Sequence, residues 1–222
     1  MVLEEYKEFI GKFAMIVTML QMSSGVFICK DIYKKGTSKG VDPMPFLGGI
    51  GLCILMLRYA LMLGDFTMIV VNLFGLATSL SYMIWYYHFT SNTQKVHKLI
   101  FKITIFVLML IGYAQIEDST KIEYRFGIVV TVLLLLLIGA PLVHISDVIK
   151  TKNTEILPFP LIFMGTFVSF LWLLYGFSID NIFVIFQNAV GLALNVAQLS
   201  LFIIFPSKKS QGGLLSEQKK ED

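Results

Sequence analysis

Seven long runs of apolar residues divide the 222-residue chain, and short polar segments separate them. A helix needs about 20 apolar residues to cross a hydrocarbon core about 30 Å thick. A window of that length predicts seven membrane-spanning helices, called here spans one to seven, at residues 9–29, 44–64, 66–88, 99–116, 126–146, 157–179 and 181–205. Spans two and three are split only at Gly64-Asp65-Phe66, and spans six and seven only at residues 178–181. Each of these pairs is therefore predicted to form an antiparallel hairpin.

Composition supports a membrane protein and gives little support to other classes. The chain is 56% hydrophobic, only 15% charged and has a mean hydropathy of +0.75, which is typical of integral membrane proteins. Its net charge of +3 comes from loops and the tail, so we predict no nucleic-acid partner. The cysteines, Cys29 and Cys53, lie in or beside apolar runs and are expected to be small buried side chains. Because the sequence contains no metal-ligand cluster, phosphate loop or nucleophile–base pattern, we predict no metal, no cofactor and no enzyme activity.

The charged residues predict how the chain is oriented in the membrane. Lysines concentrate in the segments after spans one, three, five and seven, as Lys30, Lys34, Lys35, Lys39, Lys95, Lys98, Lys102, Lys150, Lys152, Lys208, Lys209, Lys219 and Lys220. By the positive-inside rule this side faces the cytosol. The N-terminus is then extracellular or lumenal, and residues 206–222 form a disordered cytosolic tail. We expect a multi-pass protein of the plasma membrane or of the Golgi and other endomembranes, and a homo-oligomer remains an open alternative.

The two halves of the chain repeat each other at an offset of 116 residues. Residues 57–76 read LRYALMLGDFTMIVVNLFGL, and residues 173–192 read LLYGFSIDNIFVIFQNAVGL. The same offset aligns ICKDIYK at 28–34 with HISDVIK at 144–150. Agreement over three spans indicates internal duplication.

Duplication of three spans requires one additional crossing, because three crossings reverse the direction of the chain. Span four has no repeat partner and supplies that crossing. We therefore predict an all-α membrane fold of the 3+1+3 type, with two parallel three-helix repeats. The predicted units are residues 1–90, residues 91–120 as the linker helix, residues 121–205, and the tail at 206–222. Transporters built from such repeats bind their ligand at the repeat interface near mid-membrane.

Asn72 and Asn188 are matched polar residues inside apolar spans. Asn72 lies seven residues after Asp65 and Asn188 eight after Asp180, which places both roughly 10–12 Å below the turns at about 1.5 Å per residue. A buried amide without a partner costs a few kcal/mol. Two amides at equal depth suit the hydroxyl groups of a ligand. The alternative is that each asparagine only hydrogen-bonds neighbouring helices.

Trp172 is predicted to lie at a similar depth, eight residues before Asp180. Tryptophan in membrane proteins is usually interfacial, whereas an indole at this depth offers a flat apolar face to a sugar ring. Packing within the bundle is the alternative. Its repeat mate is Met56, a flexible side chain that fills gaps.

Four helix-weakening residues share one depth near the cytosolic side: Gly25, Pro45, Pro141 and Pro158. Proline removes a helix hydrogen bond and favours a kink, although proline in a first helical turn is common. One residue comes from the first and one from the second helix of each repeat. We therefore predict that the four act as hinges for a cytosolic gate.

The chain resembles the SWEET family of sugar facilitators over about residues 12 to 205. The resemblance is carried by DIYKKGTSKGVDPMPF, RYALMLGDFTMIVVNLFG, GAPLVHISDVIKTKNTEILPFPL and WLLYGFSIDNIFVIFQNAVG. It implies that Asn72 and Asn188 bind sugar, that Trp172 stacks on it, and that Met56 lines the same pocket. It also implies four hinge prolines, of which Gly25 replaces one. Arg58 stands where the family has tryptophan, and either extends to the outer surface or enters an outer vestibule.

These observations predict facilitative uniport of mono- or disaccharides by alternating access, with a sugar and the lipid bilayer as partners. Ion coupling usually requires an intramembrane carboxylate or histidine, and none is predicted at mid-depth. The alternative is a proton-coupled transporter of the PQ-loop type, which would carry Pro-Gln where this chain has Gly25-Val26 and Pro141-Leu142. A seven-span receptor and a membrane enzyme are less consistent with the duplication and with the absence of a catalytic pattern.

Overall fold

A computed structural model describes residues 2–139, 148–154, 157 and 159–205, and its long elements are all helices. Seven of the described segments are long and apolar enough to cross a membrane, as predicted. Span one comprises two helices, Lys7–Ser23 and Gly25–Lys35, which follow a short helix at Val2–Glu5. The other spans are the helices Met44–Leu63, Phe66–His88, Thr93–Ile116, Ser119–Gly139, Phe159–Ser178 and Ile182–Ile204.

Both predicted hairpins have the same turn chemistry. The carboxylate of Asp65 accepts a 2.9 Å hydrogen bond from the backbone N–H of Met68 and so caps span three. Asn181, its repeat mate, accepts a 3.0 Å bond from Val184 and caps span seven. An N-cap of this kind satisfies one of the free N–H groups at a helix start. Gly64 ends span two in the left-handed conformation that glycine adopts without strain.

The spans pack so that the two repeats face each other. Spans two and three pack together, as do spans six and seven, and span one packs against both three and six. Span five packs against spans two and seven, and span four packs mainly against span two. Large apolar side chains on the outer faces are exposed, for example Phe9, Ile84 and Phe163. Such a surface fits a hydrocarbon environment.

Spans four and five begin earlier than the hydrophobic pattern predicts, because side-chain caps extend their helices into polar sequence. Asn92 accepts a bond from the backbone of Lys95, so span four begins at Thr93 rather than near residue 99. Asp118 accepts a 2.8 Å bond from the backbone N–H of Thr120 at the start of span five. The last third of the predicted 126–146 segment, residues 140–146, lies outside the described residues.

Span one also differs from the single helix predicted at 9–29, because it continues to Lys35 and is interrupted at Ser24. The N–H of Ser24 donates to carbonyl oxygens two and three residues earlier, at Met22 and Gln21, which tightens the turn. The Ser23 hydroxyl donates to the Met19 carbonyl at 2.8 Å, a pattern that often bends helices. An apolar window reports only length and hydropathy, so it misses such an interruption.

Candidate functional site

A cavity of about 650 Å³ lies at the centre of the bundle, between the two repeats. All the predicted pocket residues line it: Met56, Asn72, Trp172 and Asn188. Its wall is mostly apolar and carries a few amides and hydroxyls, which is the usual character of a small-molecule site. The structure therefore brings together the residues that the repeat and the depth argument had singled out.

The two asparagines adopt the same conformation. The side-chain nitrogen of Asn72 donates to the carbonyl oxygen of Met68 at 2.8 Å, and that of Asn188 donates to Val184, also at 2.8 Å. These bonds fix each amide on its own helix instead of joining two helices, so the alternative of interhelical hydrogen bonding does not describe them. Each side-chain oxygen, and one N–H of each amide, has no hydrogen-bond partner among the described residues. The cavity wall thus offers two fixed acceptors, each with a donor beside it.

Trp172 is held by a hydrogen bond that crosses between the repeats. Its indole N–H donates to the Thr18 hydroxyl at 2.8 Å, and that hydroxyl donates in turn to the Ala14 carbonyl at 2.7 Å. The Tyr175 ring packs edge-on against the indole with ring centroids 5.5 Å apart. Because both contacts fix the ring, the indole presents a rigid surface at the cavity wall.

Gln187 is a cavity-lining residue that the sequence analysis missed. It is only 4% exposed, and its side-chain oxygen has no hydrogen-bond partner among the described residues. A buried acceptor without a partner is costly. Its repeat mate is the apolar Val71, so the 116-residue offset gives no indication of it. The sequence signal for Gln187 as a pocket residue is that it directly precedes Asn188, which was predicted to line the pocket.

Hydrogen bonds within two residue pairs, each pair joining the two repeats, close the end of the bundle that contains Asp65, called here the Asp65 end. Tyr175 donates to the Asp65 carboxylate at 2.7 Å. The Asn181 amide nitrogen donates to the Tyr59 hydroxyl at 3.0 Å, and that hydroxyl donates to the Asn181 side-chain oxygen at 3.4 Å. These bonds are repeat mates, because Tyr59 matches Tyr175 and Asp65 matches Asn181 at the same offset of 116 residues.

The layer around these bonds is tightly packed, whereas the cavity extends towards the opposite end, called here the Pro45 end. Tyr59 and Tyr175 are each 1% exposed. A side chain added at Gly11 would lie 2.8 Å from the Tyr175 ring, so only glycine fits there. At the Pro45 end, Gly25 and Pro45 line the cavity. The other two predicted hinges, Pro141 and Pro158, lie outside the described residues.

Arg58 is absent from the cavity lining among the described residues. It is partly exposed, and its Nε atom is buried with no hydrogen-bond partner in the described part of the chain.

Near the turn between spans four and five, Glu117 accepts hydrogen bonds from the Tyr113 hydroxyl at 2.9 Å and from Arg125. These donors, the tyrosine first, hold the pKa of the Glu117 carboxyl below its ordinary value.

Comparison with known proteins decides the family. The family model described as "Sugar efflux transporter for intercellular exchange" matches residues 8–94 and again residues 124–210. Its two matches begin 116 residues apart and end 116 residues apart, which is the offset of the sequence repeat. The chain belongs to the SWEET family. The family is one of sugar transporters rather than enzymes.

Individual SWEET proteins resemble the chain over nearly its whole length. It is 32% identical to the sugar transporter SWEET1 of Drosophila pseudoobscura pseudoobscura over 216 residues, which are 95% of this chain and 96% of that protein. It is 24% identical to mouse SWEET1, covering 91% and 93% of the two chains. The solved structure of a eukaryotic SWEET transporter superposes with a TM-score of 0.81 at 24% identity, covering 94% of this chain and 100% of that one. This likeness confirms the all-α 3+1+3 fold.

Proposed function

We propose that the protein is a facilitative uniporter for mono- or disaccharides that works by alternating access. The observation that carries the proposal is the cavity between the repeats, where the matched amides of Asn72 and Asn188 lie with the rigid indole of Trp172. Its family and its named relatives, which are sugar transporters, support the same substrate class.

The site's chemistry fits a sugar. Each hydroxyl group of a sugar can donate and accept, and the asparagine oxygens with their remaining N–H groups supply both functions. The indole face and Met56 offer apolar contact to the C–H faces of the ring. Binding then needs few polar groups, set in an apolar wall that excludes water.

The geometry suggests the direction in which the cavity opens. The lysine-rich segments adjoin the Pro45 end of the spans, so by the positive-inside rule this end faces the cytosol. The Asp65 end, closed by the bonds of Tyr59 and Tyr175, then faces the outside or a lumen. In transport, Gly25 and Pro45, with Pro141 and Pro158, would let the two repeats rock about the site. We also propose that the first repeat ends at residue 90, the linker helix at residue 120 and the second repeat at residue 205.

Passive transport is favoured over proton coupling. Among the described residues, the cavity wall contains no aspartate, glutamate, histidine, lysine or arginine, and proton relays in membranes use such groups. The buried carboxylate of Asp65 already accepts bonds from Met68 and Tyr175 at the closed end. The PQ-loop alternative is therefore not favoured.

The test is uptake by transporter-deficient cells, followed by flux in proteoliposomes. Cells expressing the wild-type chain are supplied with a panel of labelled mono- and disaccharides. We expect at least one labelled sugar to enter until its internal and external concentrations are equal, without accumulating further. A pH gradient across proteoliposomes should not raise the final internal concentration above the external one. Accumulation driven by the gradient would refute passive transport, and no uptake from the whole panel by a surface-expressed protein would refute the sugar assignment.

A further inference from the structure

The interruption of span one changes the backbone hydrogen bonding in the middle of a membrane helix. The N–H of Ser24 donates to Gln21 and Met22, and that of Phe27 donates back only three residues, to Ser24. Such tight turns within a helix often mark a hinge. Inside a membrane a free carbonyl oxygen needs another donor, because no lipid group supplies one.

Tyr82 of span three supplies that donor. Its hydroxyl lies 3.2 Å from the carbonyl oxygens of both Met22 and Ser23. The bonded carbonyls are therefore those on the N-terminal side of the break. A phenol from another helix thus supplies a donor to backbone carbonyls beside the irregular turn, where the Met22 carbonyl also accepts from Ser24.

The ring of the same tyrosine occupies the space beside Gly25. A side-chain carbon placed on Gly25 would lie 2.4 Å from Cε2 and 2.7 Å from Cδ2 of Tyr82, well inside van der Waals contact. The hydroxyl bonds to span one fix the ring, and the Phe46 ring lies 6.1 Å from it on span two. Tyr82 therefore contacts the first-repeat hinge region at both Gly25 and the residue after Pro45.

The second repeat has different residues at both positions. Pro141 matches Gly25, and Gln198 matches Tyr82, at the offset of 116 residues. Gln198 lines the cavity and is 4% exposed. The two positions thus differ together: glycine with tyrosine in one repeat, and proline with glutamine in the other.

We propose that Tyr82 is a positioning residue for transport and that it forms one hinge unit with Gly25. The tyrosine holds the break in span one, and glycine is required because the ring fills the space of a side chain. In the second repeat, Pro141 and Gln198 stand in the place of this unit. The packing part of the inference is independent of substrate, whereas the role in transport rests on the proposed function.

The test exchanges the residues of the two repeats. Gly25→Pro alone places atoms into the Tyr82 ring, so we expect a lower melting temperature and transport reduced by about tenfold or more. The double variant Gly25→Pro/Tyr82→Gln carries the second-repeat residues and should regain both properties relative to Gly25→Pro. Since proline could prevent folding, the cycle is repeated with Gly25→Ala. Gly48→Ala is the matched control, because nothing lies within 4 Å of a side-chain carbon placed there.

Tyr82→Phe isolates the hydroxyl, because it keeps the ring against Gly25. We expect the maximal transport rate to fall about two- to tenfold, the range for the net loss of one hydrogen bond, with sugar affinity unchanged. A change in affinity with an unchanged maximal rate would overturn the positioning role.

The remaining outcomes separate this inference from the proposed function. The inference is overturned if Tyr82→Gln does not lessen the effect of Gly25→Pro or Gly25→Ala, or if Gly25→Ala is as harmless as Gly48→Ala. Rescue of the melting temperature without rescue of transport overturns the positioning role. If the wild type carries no sugar, the proposed function fails, and the melting temperatures still decide whether Gly25 and Tyr82 form one unit.

Discussion

Removal of the Tyr175 hydroxyl should open the Asp65 end of the protein. Tyr175 donates to the carboxylate of Asp65 at 2.7 Å, and Asp65 is 8% exposed. Hydrogen bonds to charged groups contribute about 1.5–3 kcal/mol. Since 1.4 kcal/mol corresponds to a factor of ten, Tyr175→Phe should shift the equilibrium about 10- to 100-fold towards the conformation that is open at this end.

The equivalent change in the other repeat gives an internal comparison. The Tyr59 hydroxyl accepts a 3.0 Å bond from the neutral Asn181 and donates back to it only at a long 3.4 Å, and a neutral hydrogen bond contributes about 0.5–1.5 kcal/mol. Tyr59→Phe should therefore shift the equilibrium only about two- to tenfold. Both variants keep an aromatic ring, so packing in the layer changes little.

Cysteine accessibility measures this shift. Cys29 and Cys53 are replaced by alanine, and Met56→Cys places one thiol at the cavity wall. A membrane-impermeant maleimide is added from the side of the Asp65 end. We expect labelling to be slowest with both tyrosines intact, faster with Tyr59→Phe and fastest with Tyr175→Phe. Equal labelling rates in the two variants, or a larger effect of Tyr59→Phe, would contradict the expectation that the hydrogen bond to the charged partner is the stronger one.

Three further predictions concern the pocket and the adjoining loop. Asn72→Ala and Asn188→Ala should each lower sugar uptake about tenfold or more, because each removes an amide that can make about two hydrogen bonds; equal uptake at equal surface expression would contradict this. Thr18→Val removes the acceptor that orients the Trp172 indole, and Trp172→Phe replaces the indole with a smaller ring that has no N–H; both should raise KM in uptake assays, and an unchanged KM in both would contradict a role of the indole in binding. The pKa of Glu117 is lowered in the folded protein, so its contribution to stability is present above its ordinary value of 4.5 and is lost as the pH falls through the lowered pKa. The difference in melting temperature between wild type and Glu117→Gln should therefore be full at pH 7 and disappear in acid, and a difference that grows in acid would contradict the sign.

Hydropathy and the repeat predicted most of the fold, because membrane thickness sets helix length and duplication sets topology. The hairpin turns followed from the short separations at Asp65 and at residues 178–181. The pocket followed from depth, since matched positions on matched helices lie at the same level. All these features depend on position along the membrane normal. Residue number along a membrane-spanning helix gives that position directly, so it can be predicted from the sequence.

Contacts around the helix axis were not predictable in the same way. The break at Ser24, the burial of Gln187 and the Thr18–Trp172 bond depend on which faces of apolar helices meet, and a helix that is apolar on every side gives no periodic signal for this. The bonds at the Asp65 end are a partial exception. Tyr59 and Tyr175 stand at matched positions of the repeat, but their hydrogen-bond partners depend on how the two repeats pack.

In the proposed mechanism, the two matched asparagines bind a sugar that both sides of the membrane can reach in turn. Entrance counterflow in proteoliposomes tests it most directly, because a labelled sugar enters against unlabelled sugar only through an alternating-access carrier. We expect a transient internal excess of label for the wild type, and none for Asn72→Ala or Asn188→Ala. A counterflow peak that persists in both variants would contradict it.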